Sequence, residues 1–225
     1  MMMIKKMKTK LFILLLVIIP FCLFADDLTP KEKYANGKVF LLNKSVTDIY
    51  IKVESISKMQ KSIQYVDSKG LEYTTDPFKA NGFWLIYPED TMVFESRSDI
   101  DKALFQPKKA STCFVLRVKK GRLPLYYFLD ERLEMDGIDQ VLREKPYYLL
   151  QFKEEWYPIS KEHYTNDFRK VIAILKKAGF EKEIKELIAD FIEAKYKFED
   201  TPEVIKLCEK LIFSADVPKT PLEMP

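Results

Sequence analysis

The chain has 225 residues, with 37 Lys and Arg against 34 Asp and Glu, one His, six Gly and three Cys. A lone histidine leaves little from which to build a zinc site or a nucleophilic triad, and six glycines leave little room for a phosphate-cradling loop. The formal charge of +3 is concentrated in the first ten residues, so it does not mark a nucleic-acid surface.

Those ten residues, MMMIKKMKTK, carry Lys5, Lys6, Lys8 and Lys10 and no acid. An unbroken apolar run, Leu11 to Ile19, follows, then Pro20 and FCLFA. A basic head, a short apolar core and a small residue at the exit form the pattern of a secretory signal peptide. The expected cut follows Ala25, making Asp26 the first mature residue and the protein periplasmic or secreted. The alternative is a lipid anchor on Cys22, but bulky Phe21 stands where lipoprotein processing needs a small residue. A retained anchor is too short: Leu11 to Ala25 is 15 residues, which at about 1.5 Å each falls below the roughly 30 Å hydrocarbon core. Contact with a membrane is therefore expected only during export, unless Cys22 is lipidated. Without the four lysines, 33 basic residues face the same 34 acids, a net charge of −1. No nucleic-acid partner is expected.

From Lys38 to Pro158 the texture is β. VTDIYIKVES alternates, with Ile49, Ile51 and Val53 on one side and Tyr50, Lys52 and Glu54 on the other, the period of a half-buried strand. KVFLL, SIQYV, LEYTT, FWLIY, TMVFES, TCFVLRVK, LPLYYFL and PYYLLQF are further strand candidates. FWLIY is apolar on both faces, which suits a central strand, and Pro124 marks an edge or a strand start. Turn signals separate the runs: Asn36-Gly37, Asp67-Ser68-Lys69-Gly70, Asn81-Gly82, Pro88-Glu89-Asp90 and Lys119-Lys120-Gly121. EMDGIDQVLREKP is ambiguous. Asp136-Gly137 offers a hairpin turn, while Ile138, Val141 and Leu142 fit a helical turn ending before Pro146, and the helix is the expectation.

After His163 the period changes. Phe168, Val171, Ile172 and Leu175 fall on one helix face, with Thr165 as the expected cap and Gly179 closing the end in the left-handed region. Ile184, Leu187, Ile188 and Phe191, continuing through Lys195 and Phe198, mark a second helix. Thr201-Pro202-Glu203 opens a third, carrying Val204, Ile205, Cys208, Leu211 and Ile212. The last residues are proline-rich and aperiodic. The expected fold is thus α+β: a signal peptide over 1–25, an antiparallel β-sandwich-like, immunoglobulin-like domain over 26–158, a helical segment over 159–214 packing on or beside the sheet, and an extended tail over 215–225. FLLNKSVTDIYIKVES and WLIYPEDTMVFES resemble strands of immunoglobulin-like bacterial envelope proteins. That resemblance is to a fold texture and implies no activity.

Two readings stand for Cys113 and Cys208: a disulfide, as an exported pair can form, or two buried thiols acting as small hydrophobes. No nucleophile elbow, calcium loop or metal-ligand spacing appears, so no cofactor and no metal are expected. Adjacent acids such as Asp130-Glu131 and Glu154-Glu155 read as solvated surface, and the lysines at 108–109 and 119–120 as loop charge. The aromatic load is distinctive: Trp84 and Tyr87, Tyr126 and Tyr127, and Tyr147 and Tyr148 are near neighbours in strands. Consecutive strand residues face opposite ways, so each doublet sends one ring to the outside, where helices or a partner must cover it. These six are the candidate partner-binding residues. The expected function is a non-enzymatic envelope module binding a protein or a surface polymer. The alternative is a secreted glycan hydrolase working through carboxylates that spacing does not identify.

Overall fold

The alternating runs pair into one antiparallel ladder. The structure, a computed structural model, describes residues 33–98, 100, 112–193 and 196–213; the signal segment with Cys22 and Ala25, the lysines at 108–109 and the 215–225 tail lie outside them. The strands are β1 (Tyr34–Leu41), β2 (Ser45–Lys52), β3 (Ile63–Val66), β4 (Glu72–Thr75), β5 (Ala80–Ile86), β6 (Thr91–Arg97), β7 (Cys113–Lys119), β8 (Leu125–Asp136), β9 (Asp139–Phe152) and β10 (Glu155–Ser160). Their order is β10-β9-β8-β7-β6-β5-β1-β2-β3-β4, a single ten-stranded sheet. The α+β class agrees with expectation. The pairing runs through one continuous sheet, and the two stacked sheets of an immunoglobulin-like sandwich are not seen in it.

Paired residues share a face of the sheet, so the register assigns the cores. On the inner face of the first seven strands, Val39, Ile49, Ile51, Ile63, Phe83, Leu85, Phe94 and Phe114 form a fully buried cluster. Phe83 stacks on Phe94 at 4.5 Å and meets Phe114 edge-on at 5.0 Å. The sheet curls to enclose them. In a flat sheet β2 and β7 would stand about 19 Å apart, yet the segment linking β2 to β3 bonds directly to β7 and β8. It contains the short helix α1 (Ile56–Met59), which adds Met59 to the cluster. Just after α1, the Gln60 carbonyl accepts the Phe114 N–H at 2.9 Å, and Gln60 Oε1 accepts the Leu129 N–H at 3.1 Å.

On the inner face of β8–β10 the helices supply the cover: α2 (Tyr164–Lys177), α3 (Lys185–Ile192) and α4 (Thr201–Phe213), the last entered through a 3₁₀ turn at Phe198–Asp200. Phe168, Val171, Ile172 and Leu175 of α2, Leu187 and Phe191 of α3, and Val204, Ile205, Cys208 and Ile212 of α4 pack with Leu125, Leu150 and Ile159 into one core. Helices and sheet are therefore parts of one unit from Tyr34 onward. No described helix is long and apolar enough to cross a membrane.

Several local expectations change. EMDGIDQVLREKP is strand–turn–strand: Gly137 at φ +67° turns β8 into β9, and cross-strand pairing overrides the helical spacing. Asn36-Gly37 and Asn81-Gly82 are inside β1 and β5 at register shifts, not at chain reversals. There a side chain at Gly37 would meet the Trp84 carbonyl, and one at Gly82 the Phe94 carbonyl. The N-cap of α2 is His163 rather than Thr165, which is already helical. The second helix stops at Ile192, and Phe198 belongs to the 3₁₀ turn. Strand β10 carries no turn signal before it, since Lys153 and Glu154 make the reversal with φ of +50° and +67°. Its Pro158 is tolerated because β10 is an edge of the sheet.

One carboxylate fastens α4 to the sheet. Glu209 pairs with Lys119 and accepts backbone N–H groups from Arg122 and from Leu123, the latter at 3.1 Å. A side chain at Gly121 would strike it, and Gly121 itself sits at φ +146°. Burial pushes the Glu209 carboxyl up, but these donors outweigh burial and hold it below its ordinary 4.5. Asp167 is also lowered, because the Ser160 hydroxyl and N–H outweigh its burial. A depressed carboxyl contributes stability that is complete above its unfolded value and is lost as pH falls through the folded one. Urea midpoints should accordingly fall from about pH 4.5 downward, and Glu209→Gln should flatten that decline and lose about 1–2 kcal/mol at neutral pH. An unchanged acid limb in the variant would refute the assignment.

Candidate functional site

The outer face of the sheet is assembled by alternation from strands that are otherwise core. Trp84 lies opposite Val93, Glu95 opposite Val115, Arg117 opposite Tyr126, and Tyr126 opposite Leu149. All point away from the inner cores. Over β1, β5 and β6 this face opens into a groove of about 530 Å³. Phe40, Trp84, Ile86 and Val93 form its apolar part, Asn81 and Thr91 add polar groups, and Glu95 and Arg117 form its charged end. Trp84 is half-buried.

The charged end is a network. Arg117 Nη1 donates to Glu95 Oε1 and Arg97 Nη2 to Glu95 Oε2, both at 2.6 Å. The Tyr126 hydroxyl accepts from Arg97 and donates to Glu95 at 3.1 Å. The Arg97 guanidinium also lies over the Tyr126 ring at 5.1 Å and over Trp156 at 5.9 Å. Burial pushes the Glu95 carboxyl up, but the Arg117 hydrogen bond and the Arg97 charge prevail and it lies below the usual range. Burial raises the Tyr126 hydroxyl. Glu95 thus stays ionised between two cations, and the triad carries one net positive charge beside the aromatic groove. Arg97 Nε is buried without a hydrogen-bond partner.

The six candidate aromatics do not form one surface. Trp84 lines the groove. Tyr126 is buried beneath Arg97 and packs edge-on with Trp156 at 5.4 Å, and Tyr147 packs partly buried against the same cluster. Tyr127 and Tyr148 face the other way, under the helices, where Tyr148 meets Phe198 at 4.7 Å. Tyr87 packs on the inner core of the first strands. Helices thus cover one ring of the Tyr126-Tyr127 and Tyr147-Tyr148 doublets. Phe40, Val93, Glu95, Arg97, Arg117 and Trp156 carry no signal in the sequence that joins them to Trp84, because membership of a face depends on strand order as well as on alternation.

Cys113 and Cys208 stand in separate places. Cys113 packs beside the outer-face cluster of Val115, Tyr126 and Leu149, whereas Cys208 is within the helix–sheet core, so the two pack in different clusters. Burial pushes the Cys208 thiol up to about 12, the state of an unreactive core residue. His163 is exposed and makes no side-chain cap. The basic turn is occupied: Lys119 pairs with Glu209, and Arg122 lies over the Phe213 ring at 4.8 Å.

A second cavity, of about 480 Å³, brings together Asp76, Asp130 and Glu131. Each has a cation: Lys79 at 3.0 Å from Asp76, Arg132 on Asp130 and Lys61 on Glu131. The Lys61 hydrogen bond holds Glu131 below the ordinary range, the opposite of what a general acid needs. Among the described residues, no group of three or more His, Cys, Asp or Glu is placed to hold a metal ion. Comparison with protein-family models, with curated proteins and with solved structures finds no match for the chain.

Proposed function

We propose that this protein is an exported, non-enzymatic module of a bacterial envelope that binds its partner in the outer-face groove at Trp84. One observation carries the reading: an open apolar groove lined by Trp84 ends on a two-arginine, one-glutamate network of net positive charge. Apolar pockets with a few convergent polar groups are the usual form of ligand sites, and Trp and Arg are the side chains that most often dominate binding energy. The fitting chemistry is a flat apolar group joined to a carboxylate or phosphate. A sugar-acid unit of a surface polymer and an acidic, aromatic protein segment both offer it. The carboxyl shifts at Glu95 and Glu131 are both downward, which favours binding over acid-catalysed hydrolysis.

The chain has two tryptophans, Trp84 and Trp156, both on this face. Titration with envelope glycan fragments and with envelope proteins should therefore change intrinsic fluorescence. Trp84→Ala should weaken binding at least about tenfold, the scale of an interface anchor, with the melting curve little altered. Binding that survives Trp84→Ala unchanged would refute the site.

A further inference from the structure

The β8–β9 hairpin outruns the sheet. β7 pairs with β8 only from Leu125 to Tyr127, and β10 with β9 only from Tyr147 to Phe152, so residues 128–136 and 139–146 form a two-stranded arm. Near its base the arm is propped by α1 and the residues after it: the Ser57 hydroxyl donates to Glu144 at 2.7 Å and Lys61 pairs with Glu131. Beyond that point Leu133 and Leu142 stand opposite each other on one face, 68% and 57% exposed, and Ile138 at the tip is 93% exposed. Two-stranded ribbons are marginal in water, and an open edge offers unpaired N–H and C=O groups.

We infer that a second copy of this chain covers the arm, pairing antiparallel along the outer edge of β9 about a twofold axis at Leu142. The result is a four-stranded sheet in the order β8-β9-β9-β8. Backbone geometry fits first. The two-residue loop Gly137-Ile138 makes Asp136 and Asp139 the closing hydrogen-bonded pair, so Gln140, Leu142 and Glu144 turn their backbone groups outward. With the axis at Leu142, outward groups meet outward groups: Leu142 faces its own copy and Gln140 faces Glu144.

Charge fits second. The same register sets Asp139 opposite Lys145 of the second copy, twice over. The Lys145 ammonium has three donors and uses two inside its own chain, on Glu134 at 2.5 Å and on Glu162 at 3.2 Å. The apolar face fits third, because Leu133, Leu142, Leu142 and Leu133 then form one row across four strands. A lipid surface is a poorer match, since Asp136 and Asp139 flank Ile138 and would face anionic headgroups.

Sedimentation equilibrium on the full chain tests this. The wild type should run at twice the chain mass, and Leu142→Lys, which sets like charges face to face on the axis, at the chain mass with unchanged circular dichroism. Under mild oxidation Leu142→Cys should give a covalent dimer, while Leu207→Cys, at an exposed position on α4, and the wild type should not. Four results would each overturn the proposal: a wild type at the chain mass up to its solubility limit, a Leu142→Lys variant that stays dimeric, equal cross-linking at both cysteines, or a monomer that binds phospholipid vesicles through the arm.

Discussion

Replacing Phe168 with alanine should lower the free energy of unfolding by about 3–5 kcal/mol, among the largest single-residue effects in the chain. Phe168 is fully buried, stacked on Phe191 at 4.8 Å and tilted against Tyr164 at 5.7 Å. It stands where α2, α3 and the sheet meet, so its removal leaves a void that rigid neighbours on three sides cannot close. The same geometry dictates the fate of a chain ending at Pro158. Leu125, Leu150 and Phe152 would lose their cover, and the fragment should aggregate or lose its cooperative transition. Urea unfolding decides both. A Phe168→Ala loss under about 1 kcal/mol, well below the range for a buried phenylalanine, or a sharply melting fragment, would mean that the helices do not share the core of the sheet.

Glu95→Ala should cost about 3 kcal/mol, because it leaves Arg97 and Arg117 facing each other in a partly buried site with no shared anion. The loss belongs to the uncompensated cations rather than to the attraction itself. Replacing both arginines with methionine in the Glu95→Ala chain should therefore recover much of the stability while abolishing ligand binding. If the combined variant is less stable than Glu95→Ala alone, the network stabilises the fold through packing instead.

The sequence made the elements legible wherever periodicity and turn chemistry agreed. The alternation in β2, the two-sided apolarity of central β5 and the face of α2 ending at Gly179 with φ +97° all read directly from residue types. Failures came where a long-range partner decides. The hairpin tip at Asp136-Gly137 looks helical until β8 and β9 are paired along their whole length. Strand β10 follows a reversal at Lys153-Glu154 that lacks the glycine or asparagine such turns favour. The two-sheet expectation arose because alternation shows that a strand has an inner face without showing what covers it. Here one cover is the curled sheet itself and the other is the helices. The site was half legible for the same reason. Aromatic doublets show that rings point both ways, but joining Trp84 to Glu95 and Arg117 needs the order β5-β6-β7.

Site-directed photo-crosslinking in cells tests the central claim most directly. A benzophenone amino acid placed at exposed Ile86 in the groove, which leaves Trp84 in place, and separately at exposed Leu207 of α4, reports what touches each surface during growth. Binding in the outer-face groove predicts a discrete adduct from position 86, lost when Trp84→Ala or Arg117→Ala is added, and none from position 207. No adduct at position 86, or the same adduct from both positions, would contradict it.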